Sequence, residues 1–229
     1  LIALAGIGVA VFAALLARDH ALQAADEGLR REVAARAAAL DAAASRHAQM
    51  VRSLAAFITT RDNVSAADFR LFVEAMRGDA AGVQALQWMP YVAGGQRSAF
   101  EQAARADFPG YQVTEQVGQW VVGEAEQRDA YFPVRLVEPV AGNEAALGHD
   151  LASGPLEADA LARALANRDL AVTERMVLLQ EEGVHYGVML VAPVLARDGS
   201  LRGYVAGVFR VGDLLQAALA GLPPVGLHI

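Results

Sequence analysis

Apolar residues fill the first 17 positions of the chain. The run LIALAGIGVAVFAALLA contains no charged or polar side chain, and it stops at Arg18, Asp19 and His20. A helix needs about 20 apolar residues to cross a bilayer. The pattern therefore predicts that residues 1–17 are the end of a transmembrane helix that begins upstream. A cleaved signal peptide is the alternative, although no charged segment precedes the run, and its alanines fit a cleavage site only weakly.

A long exposed helix is predicted for residues 18–62. This segment is rich in Ala, Arg and Glu, and up to Thr60 it contains no Pro and a single Gly, Gly28. A heptad seam runs along it, formed by Val33, Ala37, Leu40, Ala44, His47, Val51, Leu54 and Ile58. Such a seam packs against the same helix of a second subunit or along the helix's own domain. His47 is a pH-sensitive switch in one interpretation and a polar residue at the seam edge in the other.

After residue 62 the pattern becomes that of a globular domain. Ser65 and Asp68 form a near capping box at the start of a helix that reaches Met76. Further helices are predicted for residues 93–110 and for residues 155–169, where Pro155 takes the favoured first helical position. Apolar runs rich in branched and aromatic residues predict strands at residues 83–92, 111–118, 131–140, 170–179, 186–195 and 202–211.

The last three predicted strands are joined by short turns. The turn residues are Glu181-Glu182-Gly183 and Arg197-Asp198-Gly199, and turns of this length connect antiparallel neighbours. The predicted fold class is therefore α+β, with a long N-terminal helix followed by an antiparallel sheet. A doubly wound parallel sheet is not expected.

Composition narrows the chemistry. With 55% hydrophobic residues, the 229-residue chain has ample material for a packed core, and its net charge of -7 argues against a nucleic-acid partner. The absence of cysteine excludes disulfides and thiolate metal sites. The chain has no GxSxG, HExxH or P-loop motif, and its five histidines are scattered. We therefore expect a binding module rather than an enzyme, with no catalytic residues, metal or cofactor.

Several stretches together resemble the CHASE domain, the extracytoplasmic sensor of bacterial receptor kinases and cyclases and of plant cytokinin receptors. The first is ALQWMPYVAGGQRSAFEQ (residues 85–102), and the second begins at RDAYFPVRLVEPV (from residue 128) and includes GHDLASGP (residues 148–155). YGVMLVAPVL and RGYVAGVFRVGDLL are similar to the last two blocks of the family. The resemblance covers roughly residues 70–216, in order and with few gaps.

This resemblance implies an architecture of two PAS-like modules after the stalk helix. Residues 63–203 would be the membrane-distal, ligand-binding module, and residues 204–229 would begin a membrane-proximal module that is truncated here. The implied protein is a homodimer in the inner (plasma) membrane, with this domain extracytoplasmic or periplasmic. A second membrane helix and a cytoplasmic output domain of the histidine kinase or diguanylate cyclase type would follow.

The resemblance also implies a ligand site. Asp150 matches the Asp that accepts hydrogen bonds from the adenine-type ligand in the plant receptors, and Val172 and Thr173 match the strand whose backbone completes the contact. Trp88, Tyr131 and Met189 are candidates for the cavity wall, with core packing as the alternative. The implied partner is a small molecule, either adenine-type (cytokinin-like) or an amine. Asp150→Ala is expected to abolish binding while leaving the fold intact.

Alternatives remain for the site and for the function. Asp150 instead forms an Asx-type turn with the backbone near Ala152 and Ser153 in a second interpretation. Arg97 and Glu101, one helical turn apart, are expected to form a surface pair, with a structural salt bridge to the sheet as the alternative. At the level of function, the alternatives are a membrane-anchored interaction module without ligand and a double-PAS chemoreceptor of another family.

Overall fold

The computed structural model describes residues 2–78, 81–118, 121–177 and 186–223. The chain divides into two compact units, Ala44–Ala217 and a smaller one made of Leu1–Ala43 and Ala218–Ile229. The turn predicted at residues 181–183 lies outside the described residues.

Helix α1 runs from Ile2 to Thr59, as the stalk pattern predicts. In the smaller unit its apolar side chains Leu22, Leu29 and Val33 are exposed, each by more than half. Within the part of the chain that the structure describes, no helix is long and apolar enough to span a membrane. A transmembrane role for residues 1–17 therefore stays a prediction.

The larger unit is built around antiparallel strands. Its other helices are α2 (Ala66–Arg77), α3 (Arg97–Ala104), α4 (Pro155–Asn167) and α5 (Val211–Leu219). Its strands are β1 (Val83–Pro90), β2 (Val92–Ala93), β3 (Thr114–Gly118), β4 (Val121–Glu124), β5 (Ala130–Tyr131), β6 (Leu136–Glu138), β7 (Ala171–Val172), β8 (Met176–Val177), β9 (Tyr186–Leu195) and β10 (Leu201–Arg210). The predicted cap of α2 is confirmed, because Ser65 Oγ accepts a hydrogen bond from Asp68 N at 3.1 Å.

Six of the strands form the main sheet, in the order β6-β1-β10-β9-β7, with β8 also pairing β9. All of these pairs are antiparallel. The predicted fold class, a long N-terminal helix followed by an antiparallel sheet, is thus confirmed. The module boundary predicted at residue 204 falls inside β10, which pairs with β1 and β9 through Phe209 and Arg210 respectively. The sheet therefore extends through Arg210.

Successive side chains of a strand point to opposite faces, and the two faces of the main sheet pack against different partners. On the first, which we call the α1 face, Leu86, Trp88, Val205 and Phe209 pack in one cluster with α1 and α2. Three residues of the heptad seam, Val51, Leu54 and Ile58, are fully buried in that cluster. The C-terminal part of the seam therefore packs along its own domain, which was one of the two predicted arrangements.

The second face, which we call the α4 face, packs against α4 and the segment of residues 132–152. Its cluster includes the sheet residues Ala85, Met89, Met189, Val191 and Ala206. Helix α4 contributes Ala160, Leu161 and Ala164, and the small alanine side chains let the helix approach the sheet closely.

The end of α1 is attached to the first part of β10. The Arg202 guanidinium donates to the carbonyl oxygens of Ile58 (3.3 Å), Thr59 (3.4 Å), Arg61 (2.7 Å) and Asp62 (3.2 Å). The last carbonyls of a helix have no partner within the helix and carry partial negative charge, so a cation satisfies them well. Arg202 thus fixes the C-terminal end of α1 to a central strand.

Candidate ligand-binding site

The segment Gly148-His149-Asp150-Leu151 lies between two other stretches of backbone. On one side Thr114 N donates to Gly148 O (2.9 Å), and Asp150 N donates to Thr114 O (2.8 Å). On the other side Gly148 N donates to Val134 O at 2.9 Å. This pairing explains why the strand predicted for residues 131–140 is interrupted between β5 and β6.

Asp150 is completely buried, with 0% of its surface exposed. Its Oδ1 accepts hydrogen bonds from the backbone N–H groups of Phe132 (2.8 Å) and Ala152 (3.2 Å). Its Oδ2 lies 3.5 Å from Nη1 of Arg128. The Ala152 bond is the Asx-type turn of the alternative interpretation. Because two backbone N–H groups depend on this carboxylate, we expect Asp150→Ala to lower stability rather than to leave the fold unaffected.

Arg128 connects Asp150 to a second candidate residue, Tyr131. The backbone N–H of Arg128 donates to Tyr131 Oη at 2.8 Å, and Tyr131 Oη donates to Glu126 O at 2.9 Å. The Arg128 guanidinium also forms a close ion pair with Glu115. Two buried carboxylates thus share one guanidinium.

Sequence reasoning missed Glu115. The available signal was the alternation of inward positions at Tyr111, Val113 and Glu115, which places an acidic residue on the buried side. Burial alone would raise the pKa of the Glu115 carboxyl, but hydrogen bonds from Arg128 and from Glu126 N hold that pKa below its ordinary value. Glu115 is therefore ionised at neutral pH.

His149 is held in the neutral form. Burial lowers the pKa of its imidazole, and this effect exceeds the opposing influence of Glu157, Asp150 and Glu115. Asp150 therefore has Arg128 as its ion-pair partner, and the adjacent histidine adds no positive charge.

The structure also brings Thr173 and Met189 together. Met189 N donates to Thr173 Oγ1 at 3.0 Å, and Thr173 N donates to Met189 O at 2.9 Å. Met189 belongs to the α4-face cluster, which also contains Leu151, the residue after Asp150.

The other two candidates lie elsewhere. Trp88 is buried on the opposite, α1 face of the sheet, among the residues that pack against α1 and α2. The side chain of Val172 is exposed, and its carbonyl oxygen accepts a hydrogen bond from Arg163 Nη2 at 2.7 Å. The six candidate residues therefore do not line one common cavity.

The pair Arg97 and Glu101 is structural. Arg97 Nε donates to Glu101 Oε1 at 2.9 Å, and the two side chains are only 13% and 11% exposed. Glu101 Oε1 also accepts from Val113 N (2.9 Å), and Arg97 Nη1 donates to Ala125 O (2.7 Å). The expectation of a surface pair is wrong, because both ends of the pair also satisfy buried backbone groups.

Three pockets are lined by residues that the structure describes. The largest, about 520 Å³, lies between α1 and strands β7 and β9, and its wall includes Val172, His47 and Arg52. Two smaller pockets of about 410 Å³ and 350 Å³ share Phe108 and Val140. Asp150 lines none of the three. Within the described ranges no cluster of His, Cys, Asp or Glu has the arrangement to hold a metal ion.

A family model, that of the CHASE domain, matches residues 62–229. The chain belongs to the CHASE domain family. The resemblance found in the sequence is thus confirmed, and the match extends it at both ends. CHASE domains are extracytoplasmic sensor modules, so this chain is a sensor domain rather than a catalytic one. No curated protein sequence matches it.

Three solved structures share a similar arrangement with this CHASE domain. The ligand-binding domain of the Pseudomonas aeruginosa PAO1 amino acid chemoreceptor PctC, in complex with GABA, is 15% identical over 86% of this chain and 65% of its own, with a TM-score of 0.49. The periplasmic sensory domain of the Campylobacter jejuni chemoreceptor Tlp1 is 11% identical over 84% of this chain and 61% of its own, with a TM-score of 0.47. Methyl-accepting Chemotaxis protein X is 15% identical over 87% of this chain and 67% of its own, with a TM-score of 0.44.

The CHASE domain thus spans just under two thirds of the length of the first two of these structures. Similarity at TM-scores below 0.5 is too low to assign a ligand or a mechanism to this chain.

Proposed function

We propose that this CHASE domain is the periplasmic ligand-sensing part of a receptor anchored in the inner membrane. Ligand binding is relayed through paired α1 helices to a cytoplasmic output domain of the histidine kinase or diguanylate cyclase type. The observation that carries the proposal is the family match over residues 62–229. The uncharged apolar run at residues 1–17 supports the anchor.

The ligand in this proposal is a small molecule that donates an N–H group to Asp150, such as an adenine-type compound or an amine. Oδ1 of Asp150 is occupied by two backbone N–H groups, whereas among the described residues Oδ2 has only the 3.5 Å contact with Arg128. A ligand donor replaces Arg128 at Oδ2, and Arg128 keeps its ion pair with Glu115. A hydrogen bond to a buried carboxylate contributes roughly 1.5–3 kcal/mol, enough to orient a small ligand.

Of the other candidates, Tyr131, Thr173 and Met189 remain proposed contacts of this ligand. Tyr131 reaches Asp150 through Arg128, and Thr173 holds Met189 in the cluster that contains Leu151. Val172 is a proposed contact only for a ligand in the pocket beside α1, and packing against α1 accounts for Trp88.

The relay uses the main sheet. The proposed ligand site and α1 lie on opposite faces of the same strands, and Arg202 attaches the end of α1 to β10. A change in packing on the α4 face therefore reaches α1 across one sheet, as a shift between two packed arrangements.

One observation favours a second candidate function, a membrane-anchored interaction module without ligand. The Asp150 carboxylate already has three internal partners, and it lines none of the three pockets. The following experiment separates the two functions.

A thermal-shift screen tests the sensing function. We expect at least one compound among adenine derivatives, amines and short peptides to raise the melting temperature of the protein. At a hundredfold excess over its Kd, a ligand stabilises the folded state by about 2.7 kcal/mol, which corresponds to roughly 5–10 °C for a chain of this size. Asp150→Asn should lose the shift.

Asp169→Asn is the matched control, because Asp169 is exposed and pairs with Arg52 on the opposite side of the sheet from the proposed site. This variant should keep the full shift. Equal shifts in both variants would remove Asp150 from the site, and an unresponsive wild-type protein would favour the interaction module.

Pairing of α1 between two copies rests on its exposed apolar stripe. Leu22, Leu29 and Val33 lie on one side of the helix at heptad-like spacing, and each is exposed by 58% or 59%. A stripe of this kind is the surface that a second copy of the helix covers in a coiled coil.

Cysteine cross-linking tests this pairing, because the chain has no cysteine of its own. We expect Val33→Cys to form a disulfide-linked dimer under mild oxidation. Arg31→Cys, on the opposite side of α1 and also exposed, should remain monomeric on a non-reducing gel. Similar cross-linking of both variants, or of neither, would count against pairing through this stripe.

A further inference from the structure

Gln87 is a buried amide in the middle of β1. Its neighbours Leu86 and Trp88 belong to the α1-face cluster, so the Gln87 side chain points to the α4 face. Only 3% of the residue is exposed. Its register partners on that face are Val137 of β6 and Ala206 of β10, and both are members of the α4-face cluster. The amide therefore lies beside apolar residues on both neighbouring strands.

The Oε1 atom of Gln87 has no hydrogen-bond partner among the described residues. The nearby Gln84 also has an Oε1 without a partner, but its Nε2 donates to Asn143 Oδ1 at 3.0 Å, which holds that side chain in place. Buried polar groups in folded proteins are almost always paired, and an unpaired one lowers stability. A residue that breaks this rule in an apolar cluster is a marker of function.

We propose that Gln87 is a ligand-recognition residue on the α4 face, where its Oε1 accepts a hydrogen bond from an N–H group of an uncharged small molecule, an amide or an N-heterocycle. This inference rests on the sensing function proposed above and specifies its ligand class. Leu151, next to Asp150, belongs to the same cluster as the neighbours of Gln87. In this proposal the amide and the carboxylate are two acceptors for one ligand.

The chemistry around Gln87 favours a neutral ligand. The register partners of Gln87, Val137 and Ala206, carry no charge, and a buried ion without a counter-charge is strongly disfavoured. When a ligand donor takes Oδ2 of Asp150, Arg128 keeps its ion pair with Glu115 and so remains near the Asp150 carboxylate as its counter-charge. A neutral N–H donor satisfies Gln87 without adding a charge to the cluster.

The α4 face can make room for such a ligand by moving flexible side chains. Met89 follows Gln87 by two positions on the same face, and Met189 belongs to the same cluster. Methionine has three rotatable bonds and fills irregular spaces, so it repacks more easily than a branched side chain. The sheet itself need not move.

The first measurement needs no ligand. Gln87→Met keeps the length of the side chain and removes the unpaired amide, so we expect its melting temperature to rise by about 2–4 °C. Gln102→Met is the matched control at an exposed position of α3 and should leave the melting temperature unchanged. A fall in melting temperature for Gln87→Met would mean that the amide serves the fold, and the inference would be overturned.

The second measurement compares neutral probes (adenine, nicotinamide and uracil) with charged probes (GABA and putrescine) by thermal shift. We expect a neutral probe to stabilise the wild-type protein and the Gln102→Met variant but not Gln87→Met. Equal stabilisation of Gln87→Met by every active probe, or activity confined to charged probes, overturns the inference. A charged probe whose effect is lost in Asp150→Asn would leave the sensing function standing while this ligand class fails.

Discussion

Gly148→Ala is expected to lower the free energy of unfolding by more than about 4 kcal/mol, or to prevent folding. Gly148 has a φ of +82°, and a Cβ at this position would lie 1.9 Å from the carbonyl oxygen of Gln112. That oxygen belongs to the backbone two residues before Thr114, which pairs with the Gly148–Asp150 segment. The clash therefore cannot be relieved by a side-chain rotation. Urea unfolding followed by circular dichroism measures the effect.

Gly142→Ala separates the two contributions to this loss. Gly142 has nearly the same φ, +81°, but a Cβ there would have no neighbour within 4 Å. This variant should lose only the cost of the left-handed backbone, about 1–2 kcal/mol. Equal losses in the two variants would show that the backbone around Gln112 moves aside easily. The packing of the Gly148–Leu151 segment between the backbone stretches at Thr114 and Val134 would then not be rigid.

Asp150→Ala is expected to lower the free energy of unfolding by about 3–5 kcal/mol. The substitution removes the acceptor of two partly buried backbone N–H groups, those of Phe132 and Ala152, and leaves Arg128 with one carboxylate fewer. Leaving buried donors unpaired costs more than their hydrogen bonds contribute on average. Thermal and urea unfolding of the unliganded protein measure this loss.

Asp150→Asn is the control for shape. Its side-chain oxygen can still accept from Phe132 and Ala152, so we expect a smaller loss of about 1–2 kcal/mol. Unchanged stability of Asp150→Ala would refute the structural role of this carboxylate. If both variants lose the same large amount, the charge, rather than the acceptor geometry, holds the segment.

Asp150 thus carries a structural role and a proposed sensory one. Its Oδ1 belongs to the fold, whereas the 3.5 Å contact of Oδ2 with Arg128 is the looser one that a ligand donor replaces in the proposal. For this reason Asp150→Asn, rather than Asp150→Ala, is the informative variant in binding experiments.

Local patterns in the sequence predicted most of the secondary structure. Ser65 was recognised as a helix cap and Pro155 as a first helical residue, and both are found in those positions. The short turn at residues 197–199 was sufficient to predict the antiparallel pairing of β9 and β10. These features depend on residues close together in the chain, and so they can be recognised without knowledge of the fold.

Other elements depended on distant residues. The apolar run at residues 131–140 is typical of one strand, but Phe132 and Val134 hydrogen-bond with the Gly148–Leu151 segment, and Pro133 has no N–H to donate. The run is therefore divided into β5 and β6. Arg97 and Glu101 likewise have the spacing of an exposed helix pair, and only their packing against Val113 and Ala125 buries them.

The sequence by itself determined the family, the antiparallel fold class and the long N-terminal helix. Only the tertiary structure decided that Trp88 and Met189 lie on opposite faces of the sheet, that Asp150 and Glu115 share Arg128, and that Gln87 is buried with its Oε1 unpaired. The physical reason is that capping, turns and periodicity act within a few residues. Burial and hydrogen-bond pairing depend on which distant segments meet.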